Sequence, residues 1–313
     1  MTGEKIILDK ENCGKSLANG IIVKGIAGFY YVDTGDAVYE CKARGSFKNK
    51  NKKGAAKKPY VGDRVQLDMT DDTPVITGIK ERTSCFDRPP VANIEQFIIV
   101  SACVSPDPNL AVVDRFITMA EMNDIEVVIC FTKADLASEE LKERLKNIYE
   151  NVYPVIFIDA RKREDAAVLA SYLNGKKTAL AGPSGVGKST VTNSLISDAP
   201  AETGEVSEKT RRGRHTTRHV ELFRLADGGM LFDTPGFTSF DVPQMEEDRL
   251  RYLFREFSEL NYNCKFAGCM HQNEPGCAVK AALAEGKISL SRYNSYISQL
   301  EEIRERKRIY RKR

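Results

Sequence analysis

The sequence predicts a multidomain chain: a small all-β barrel, then a helix-covered parallel α/β sheet, then a mostly helical segment. Three observations carry this. Residues 1–85 hold short β-rich runs separated by turn residues. Residues 86–240 alternate continuous apolar runs with helical patterns. Residues 241–313 read as helical, interrupted by a cluster of Cys and His. At ~150 residues per domain, a chain of 313 residues has room for two or three. Hydrophobic residues make up 42% and charged residues 29%, which excludes a wholly disordered chain. No apolar run approaches the ~20 residues of a membrane-spanning helix, so no membrane association is expected. Met1-Thr2-Gly3-Glu4-Lys5 leads into no apolar core of the signal-peptide kind, and a cytoplasmic location follows as the expectation.

In the first zone the strands are Ile21–Val23, Phe29–Val32, Ala37–Cys41, Arg64–Leu67 and Val75–Ile79. Gly25, Gly28, Asp33-Thr34-Gly35-Asp36 and Gly62-Asp63 supply the turns. Five short strands fit a barrel of the oligonucleotide-binding (OB) type, or a small barrel without any nucleic-acid role. Net charge is only +3, yet Lys42, Arg44, Lys48, Lys50, Lys52, Lys53, Lys57 and Lys58 follow one another with no acid among them. The tail holds Arg304, Arg306, Lys307, Arg308, Arg311, Lys312 and Arg313 against Glu305. Two basic stretches on a nearly neutral chain suggest a local polyanion site, with a solvated loop and a frayed tail as the plain alternative.

Arg82–Asn93, with Pro89-Pro90, reads as a linker. Beyond it, Phe97–Val100 is an apolar run of the buried parallel kind. A helix is expected over Val112–Met122, a strand over Val127–Phe131 and a charged helix over Ser138–Glu150. The strand Val155–Ile158, a helix around Asp165–Leu173 and the strand Thr178–Ala181 complete the alternation. Val220–Phe223 and Met230–Phe232 flank Asp227-Gly228-Gly229, a hairpin signature. Near the C-terminus, Tyr293, Tyr296, Ile297, Leu300 and Ile303 form one face of a helix over Ser291–Arg308.

Gly182-Pro183-Ser184-Gly185-Val186-Gly187-Lys188-Ser189-Thr190 follows a strand and opens a helix, the context that confirms a phosphate-binding loop. Its glycines let backbone N–H groups face the phosphates, Lys188 supplies positive charge, and Ser189 is placed to bind Mg²⁺. Asp233-Thr234-Pro235-Gly236 comes about 45 residues later. Its Asp can hold Mg²⁺ through water, and the Gly236 N–H can meet a γ-phosphate. Thr132-Lys133-Ala134-Asp135 resembles the Asn-Lys-x-Asp motif of GTPases, in which the Asp accepts from guanine N1–H and N2–H₂ and so discriminates against adenine. Thr132 stands at the Asn position. Asp159-Ala160 stands where many GTPases place Ser-Ala against guanine O6, a contact made largely by backbone.

In ordinary GTPases the phosphate loop comes first. Here the base motif precedes it by about 50 residues, the order of a circular permutation. Between Lys188 and Asp233 lies Arg211-Arg212-Gly213-Arg214-His215-Thr216-Thr217-Arg218, at the place of a first switch. Thr217 is the first candidate for Mg²⁺ and the γ-phosphate, Thr216 the second. Where many GTPases carry a water-orienting Gln, this chain has Phe237. His215 is then the in-chain candidate to position water, with packing or RNA contact as its alternative.

Eight cysteines do not form a disulfide framework. Cys103 and Cys130 lie in apolar runs and read as small core residues. Cys264, Cys269, His271 and Cys277 fall within 14 residues. Three thiolates and one imidazole make a complete tetrahedral set for one structural Zn²⁺, with no position left for water. Such a site contributes on the order of 10 kcal/mol to folding its segment.

The set TKAD, GPSGVGKST, GRHTTR and DTPG, in that order, with a small barrel before it and the Cys/His cluster after it, closely resembles the RsgA/YjeQ family of bacterial GTPases. The resemblance spans nearly the whole chain. It implies a late assembly factor of the small (30S) ribosomal subunit that binds 16S rRNA. It also implies a GTPase stimulated by that subunit, which couples hydrolysis to its own release; a monomer is expected. Two other readings stay open at this point. One is an RNA-binding adaptor with a regulatory, poorly hydrolytic guanine-nucleotide site, and the other is a small-molecule P-loop kinase.

Overall fold

The structure, a computed structural model, describes residues 17–44, 58–197, 220–226, 228–238 and 241–311. The chain divides into two compact units, Met1–Asn93 with Thr217–Phe223, and Ile94–Thr216 with Arg224–Arg313.

The first unit is a five-stranded barrel of β1 (Leu17–Ile26), β2 (Phe29–Asp33), β3 (Val38–Ala43), β4 (Arg64–Asp68) and β5 (Val75–Ile79). Neighbours pair in the ring β1-β2-β3-β5-β4, and β4 closes back on β1. Only the β3–β5 pair is parallel. Period-2 alternation turns Val65 and Leu67 inward, where Ile22, Val32, Cys41 and Ile76 are also fully buried. Closure removes exposed sheet edges, which makes a barrel of this size viable. Most of the basic run 42–58 falls outside the described residues.

The stretch expected as a linker is instead structured. Cys85–Asp87 (β6) and Pro90–Ala92 (β7) pair as an antiparallel hairpin. Val91 and Ala92 are fully buried. Asn93 anchors the hairpin: its Nδ2 donates to Gly62 O at 2.9 Å and its Oδ1 accepts from Thr83 N at 2.9 Å. The proline pair marks a turn between two strands, and burial of the flanking apolar residues makes it an ordered element.

In the second unit, β8 (Gln96–Ala102), α1 (Leu110–Met122), β9 (Glu126–Thr132), α2 (Glu139–Tyr149), β10 (Val155–Ile158), α3 (Arg163–Ser171), β11 (Lys177–Ala181) and α4 (Lys188–Ser197) alternate as expected. Asn109 and Ser138 cap α1 and α2, their side chains accepting from Val112 N and Leu141 N. β12 (Glu221–Arg224), whose first three residues belong to the first unit, comes next in the chain, and β13 (Met230–Phe237) follows. Gly228 N donates to Leu225 O and Leu225 N to Gly229 O, closing the expected tight turn before β13. All four ladders among β10-β9-β8-β11-β13 are parallel. Every residue of β8 and β11 is buried, which explains their continuous apolar runs. Cys103 and Cys130 are fully buried core residues.

The C-terminal part carries short helices Glu247–Leu250, Arg255–Ser258 and Ala278–Ala284, and a 22-residue helix Leu290–Arg311. Tyr296, Leu300 and Ile303 of the long helix are buried against Leu250, Phe254 and Phe257. Its Arg292 reaches α1, donating to Asp114 Oδ1 at 2.8 Å, while two bonds join it to Glu256. Part of the basic tail is neutralised: Arg304 pairs with Glu247, Arg306 with Glu302 and Lys307 with Glu246.

Candidate nucleotide site and metal centre

The chain runs from β8 outward through β9 to β10, then returns to place β11 on the other side of β8. That reversal is a topological switch point, and in open parallel sheets the crevice beyond the carboxyl ends of the strands there is the usual ligand site. The candidate segments converge on this edge. Thr132-Lys133-Ala134-Asp135 follows β9, Asp159-Ala160 follows β10, and the glycine-rich loop 182–187 follows β11. The chain order of the motifs is permuted, but the edge they share is one.

The glycine-rich loop is built on left-handed backbone. Gly182, Gly185 and Gly187 have φ of 149°, 82° and 93°. A Cβ on Gly182 would stand 2.1 Å from Val100 O of β8, so no other residue fits there. Lys188 begins α4 and folds its Nζ back onto Gly182 O at 2.6 Å and Pro183 O at 2.7 Å. Partial burial pushes its ammonium below the ordinary lysine value. Ser189 and Thr190 are exposed in the first turn of α4, and Ser184 and Gly185 are exposed on the loop.

Thr132, at the Asn position of the base motif, is 1% exposed. Its hydroxyl donates to Val186 O at 2.6 Å, joining the end of β9 to the glycine-rich loop. Lys133 is left-handed, with φ 55°, and its Nζ bonds Ser105 O and approaches Gly185 O at 3.5 Å. Asp135 sits beside Asp159, and one guanidinium spans both. Arg161 Nη2 donates to Asp135 Oδ2 at 2.8 Å, and Arg161 Nε to Asp159 Oδ1 at 2.8 Å. Hydrogen bonding from Arg161 holds the Asp159 carboxyl below its usual range.

The strand expected over Met230–Phe232 runs on to Phe237, so the Asp-Thr-Pro-Gly segment lies within β13. Between Ala179↔Phe232 and Ala181↔Phe237 the register shifts, so residues 233–236 form a bulge off the ladder. Asp233 is half-buried on this bulge. The strand resumes because Phe237 is a core residue, 1% exposed and edge-on to Phe97 at 5.1 Å. The ring at the Gln position is therefore packed inside. His215, Thr216, Thr217 and the arginines of 211–218 lie outside the described residues.

Cys264, Cys269, His271 and Cys277 do converge, with all four candidate ligand atoms within 4.8 Å of one another. The donor set fits one tetrahedral metal ion on chemistry and on orientation. Asn261 Nδ2 donates to Arg251 O, which turns Asn261 Oδ1 toward His271. That oxygen lies 2.7 Å from His271 Nε2 and so must accept its proton. The other nitrogen, Nδ1, then offers its lone pair toward Cys277 Sγ at 3.3 Å and Cys264 Sγ at 3.7 Å. Burial pushes the Cys269 thiol up to about 12. Burial, reinforced by Arg251, pushes the His271 imidazolium down to about 4. Spacing along the chain gives no sign of Asn261, because its contact with His271 depends on how the segment folds.

The family model described as RsgA GTPase matches residues 79–243, and the one described as RsgA N-terminal domain matches residues 19–76. A protein of Clostridium perfringens named small ribosomal subunit biogenesis GTPase RsgA is 49% identical over 285 residues, covering 91% of this chain and 97% of that protein. This chain belongs to the RsgA GTPase family. A relative of the same name from Alkaliphilus metalliredigens is 43% identical over 296 residues, covering 93% of this chain and all of that protein. The crystal structure of YjeQ from Thermotoga maritima aligns with TM-score 0.77 at 32% identity, covering 92% of this chain and 98% of that one. That of YloQ, described as a circularly permuted GTPase, aligns with TM-score 0.78 at 33% identity, covering 96% and 99%. This RsgA-family chain is thus a circularly permuted GTPase that binds guanine nucleotide, preceded by an OB-like barrel and followed by a Cys/His cluster able to hold a metal ion.

Proposed function

We propose that this GTPase is a late assembly factor of the small ribosomal subunit, that it binds 16S rRNA, and that GTP hydrolysis drives its release. The observation that carries the proposal is the 49% identity to a small-subunit biogenesis GTPase along 91% of the chain. A cytoplasmic, monomeric protein is part of the same reading; among the described residues no helix is long and apolar enough to cross a membrane.

Within it, residues 1–85 form the RNA-binding barrel, 86–240 the GTPase and 241–313 the metal-binding segment. Gly182 and Pro183 shape the loop, the Gly182 N–H being donated to Phe237 O. Backbone N–H groups of Ser184, Gly185, Val186, Gly187, Lys188, Ser189 and Thr190 cradle the phosphates, with Lys188 at the β- and γ-phosphates. Its Nζ already reaches the loop carbonyls, which places a half-buried cation in the anion cradle. Asp135 accepts from the guanine edge, the Lys133 stem lies along the base, Thr132 steadies the loop, and the backbone N–H of Ala160, next to Asp159, meets O6. Ser189 and Thr217 would hold Mg²⁺, and Asp233 would reach it through water. When bound, Mg²⁺ neutralises charge on the transferred phosphoryl group. Gly236 N–H and Thr217 tie both switches to the γ-phosphate, and loss of that phosphate frees them. His215 orients the attacking water. Cys264, Cys269, His271 and Cys277 hold one structural Zn²⁺.

Phe237 supports slow intrinsic hydrolysis, because a ring buried against Phe97 offers water no hydrogen bond. The subunit would then complete the site. RNA affinity is assigned chiefly to the run 42–58, since the cations Arg304, Arg306 and Lys307 are already paired. Such phosphate contacts make binding fall steeply with salt.

The test is GTP turnover with and without purified small subunits, with ATP as control. Strong stimulation specific to GTP and to the small subunit is expected. GTP binding without stimulation would overturn the proposal in favour of an adaptor whose nucleotide site is regulatory.

A further inference from the structure

Asp135 and Asp159 leave the ends of neighbouring strands. β9 and β10 run parallel with Phe157 beside Phe131 and Ile158 beside Thr132, so the two loops emerge side by side. Each delivers a carboxylate, and two like charges on adjacent loops repel. Asp159 cannot move off to relieve this. Its backbone N–H is held by Asp165 Oδ2 at 2.6 Å, and its carbonyl accepts from Lys162 N at 2.8 Å.

We propose that Arg161 is a positioning residue of the guanine site, bridging Asp135 to Asp159 so that the Asp135 carboxylate is aimed at the base. The inference rests on the reading of Asp135 as the guanine acceptor. The bridge is made by one planar fork. Nε and Nη2 grip Asp159 at 2.8 and 3.1 Å, and Nη2 also reaches Asp135 Oδ2 at 2.8 Å. The Arg161 backbone N–H adds a bond to Asp159 Oδ1 at 3.1 Å, which fixes the root of the side chain. A guanidinium is suited to this because its donors are coplanar and rigidly spaced.

Asp135 keeps enough acceptor capacity for its ligand. A carboxylate has about four lone-pair sites, and the bridge takes one, on Oδ2. Guanine N1–H and N2–H₂ together ask for two. The bridge also selects an orientation: with Oδ2 held toward Arg161, rotation about the Cβ–Cγ bond is restricted, and both oxygens present a fixed edge. Such aim matters most for a paired-donor ligand, and less for hypoxanthine, which has N1–H but no 2-amino group.

The Arg161 side chain is 70% exposed, so its ion pairs are screened and contribute little to folding. A variant lacking it should fold, and its effect should be confined to the base site. The experiment compares GDP and IDP affinity by titration calorimetry on the full chain for wild type, Arg161→Met, Arg161→Met with Asp159→Asn, and Asp135→Asn. In Arg161→Met, GDP affinity is expected to fall roughly three- to tenfold, with a smaller fall for IDP, so that the GDP/IDP ratio shrinks. Removing the opposing charge by Asp159→Asn in that background should restore much of the ratio. An unchanged ratio in Arg161→Met, while Asp135→Asn loses its GDP preference, would overturn the role of Arg161 alone. So would a loss that Asp159→Asn fails to mend. If Asp135→Asn itself keeps wild-type GDP affinity and preference, the reading of Asp135 falls, and the inference with it.

Discussion

Gly182 is dictated twice, by its φ of 149° and by the 2.1 Å that separates a would-be Cβ from Val100 O. Both constraints come from packing the loop after β11 against β8. Gly182→Ala must therefore shift the loop or the strand. We expect a loss of roughly 1–3 kcal/mol from backbone strain, more with the clash, and much weakened GDP binding. Thermal melting and nucleotide titration read both. A variant with wild-type melting and affinity would show that the loop has slack the geometry denies. Gly185→Ala is the control, because its Cβ would meet nothing within 4 Å and only its φ of 82° opposes the change. At this scale the sequence was legible where chemistry is local. The loop glycines, Lys188 and the Cys/His set are recognisable from spacing. Thr132 was legible as a motif position, but its bond to Val186 spans 54 residues and exists only because β8 lies between β9 and β11. Arg161 and Asn261 were illegible for the same reason: their partners are set by the fold.

At the scale of elements, the Cys/His segment is short of regular structure and relies on polar anchors. Arg251 Nη1 holds the carbonyls of Ala267 and Cys269, each at 2.9 Å, and Asn261 fixes the His271 ring. An outer-shell partner that sets tautomer and ring angle typically accounts for 10–100-fold in metal affinity. Asn261→Ala is expected to weaken zinc binding by about that factor, seen in chelator competition followed by metal analysis. Asn261→Asp, which keeps the acceptor, should retain most of the affinity. If Asn261→Ala holds zinc as tightly as wild type, the hydrogen bond does not orient the ligand. Strands and helices were largely predictable from period alone. The two departures share a cause: β6–β7 hides behind a proline pair, and β13 continues through a bulge because Phe237 finds Phe97. Local turn chemistry marks where a chain bends but not whether tertiary burial then restores the strand.

At the scale of the whole molecule, the second unit joins the α/β sheet to the C-terminal helices through α1. Arg292 lies at the centre, 1% exposed, against Asp114, Glu256 and the face of Phe254 at 4.5 Å. Tyr149 adds a bond to Asp114 Oδ1 at 3.0 Å. Burial works against the guanidinium charge, but Asp114 and Glu256 outweigh it and hold Arg292 well above its ordinary value. Arg115–Glu302 at 2.6 Å and Arg255–Glu121 at 2.8 Å flank the centre, and being more exposed they contribute less. Removing Arg292 leaves two carboxylates facing each other away from water. Arg292→Met is expected to destabilise this unit by about 3–5 kcal/mol, read as a lower urea midpoint. The energy belongs to the stranded charge more than to the lost attraction. Replacing the whole cluster, with Asp114→Leu, Glu256→Met, Arg292→Met and Tyr149→Phe together, should therefore recover most of the stability, since no buried polar group of the cluster is then left unpaired. A single variant as stable as wild type would mean that water reaches the carboxylates and that the helices are held by apolar packing alone. If that combined variant recovers stability but loses stimulated GTP turnover, the ion cluster serves to fix the angle of the Cys/His segment on α1 rather than to hold it there.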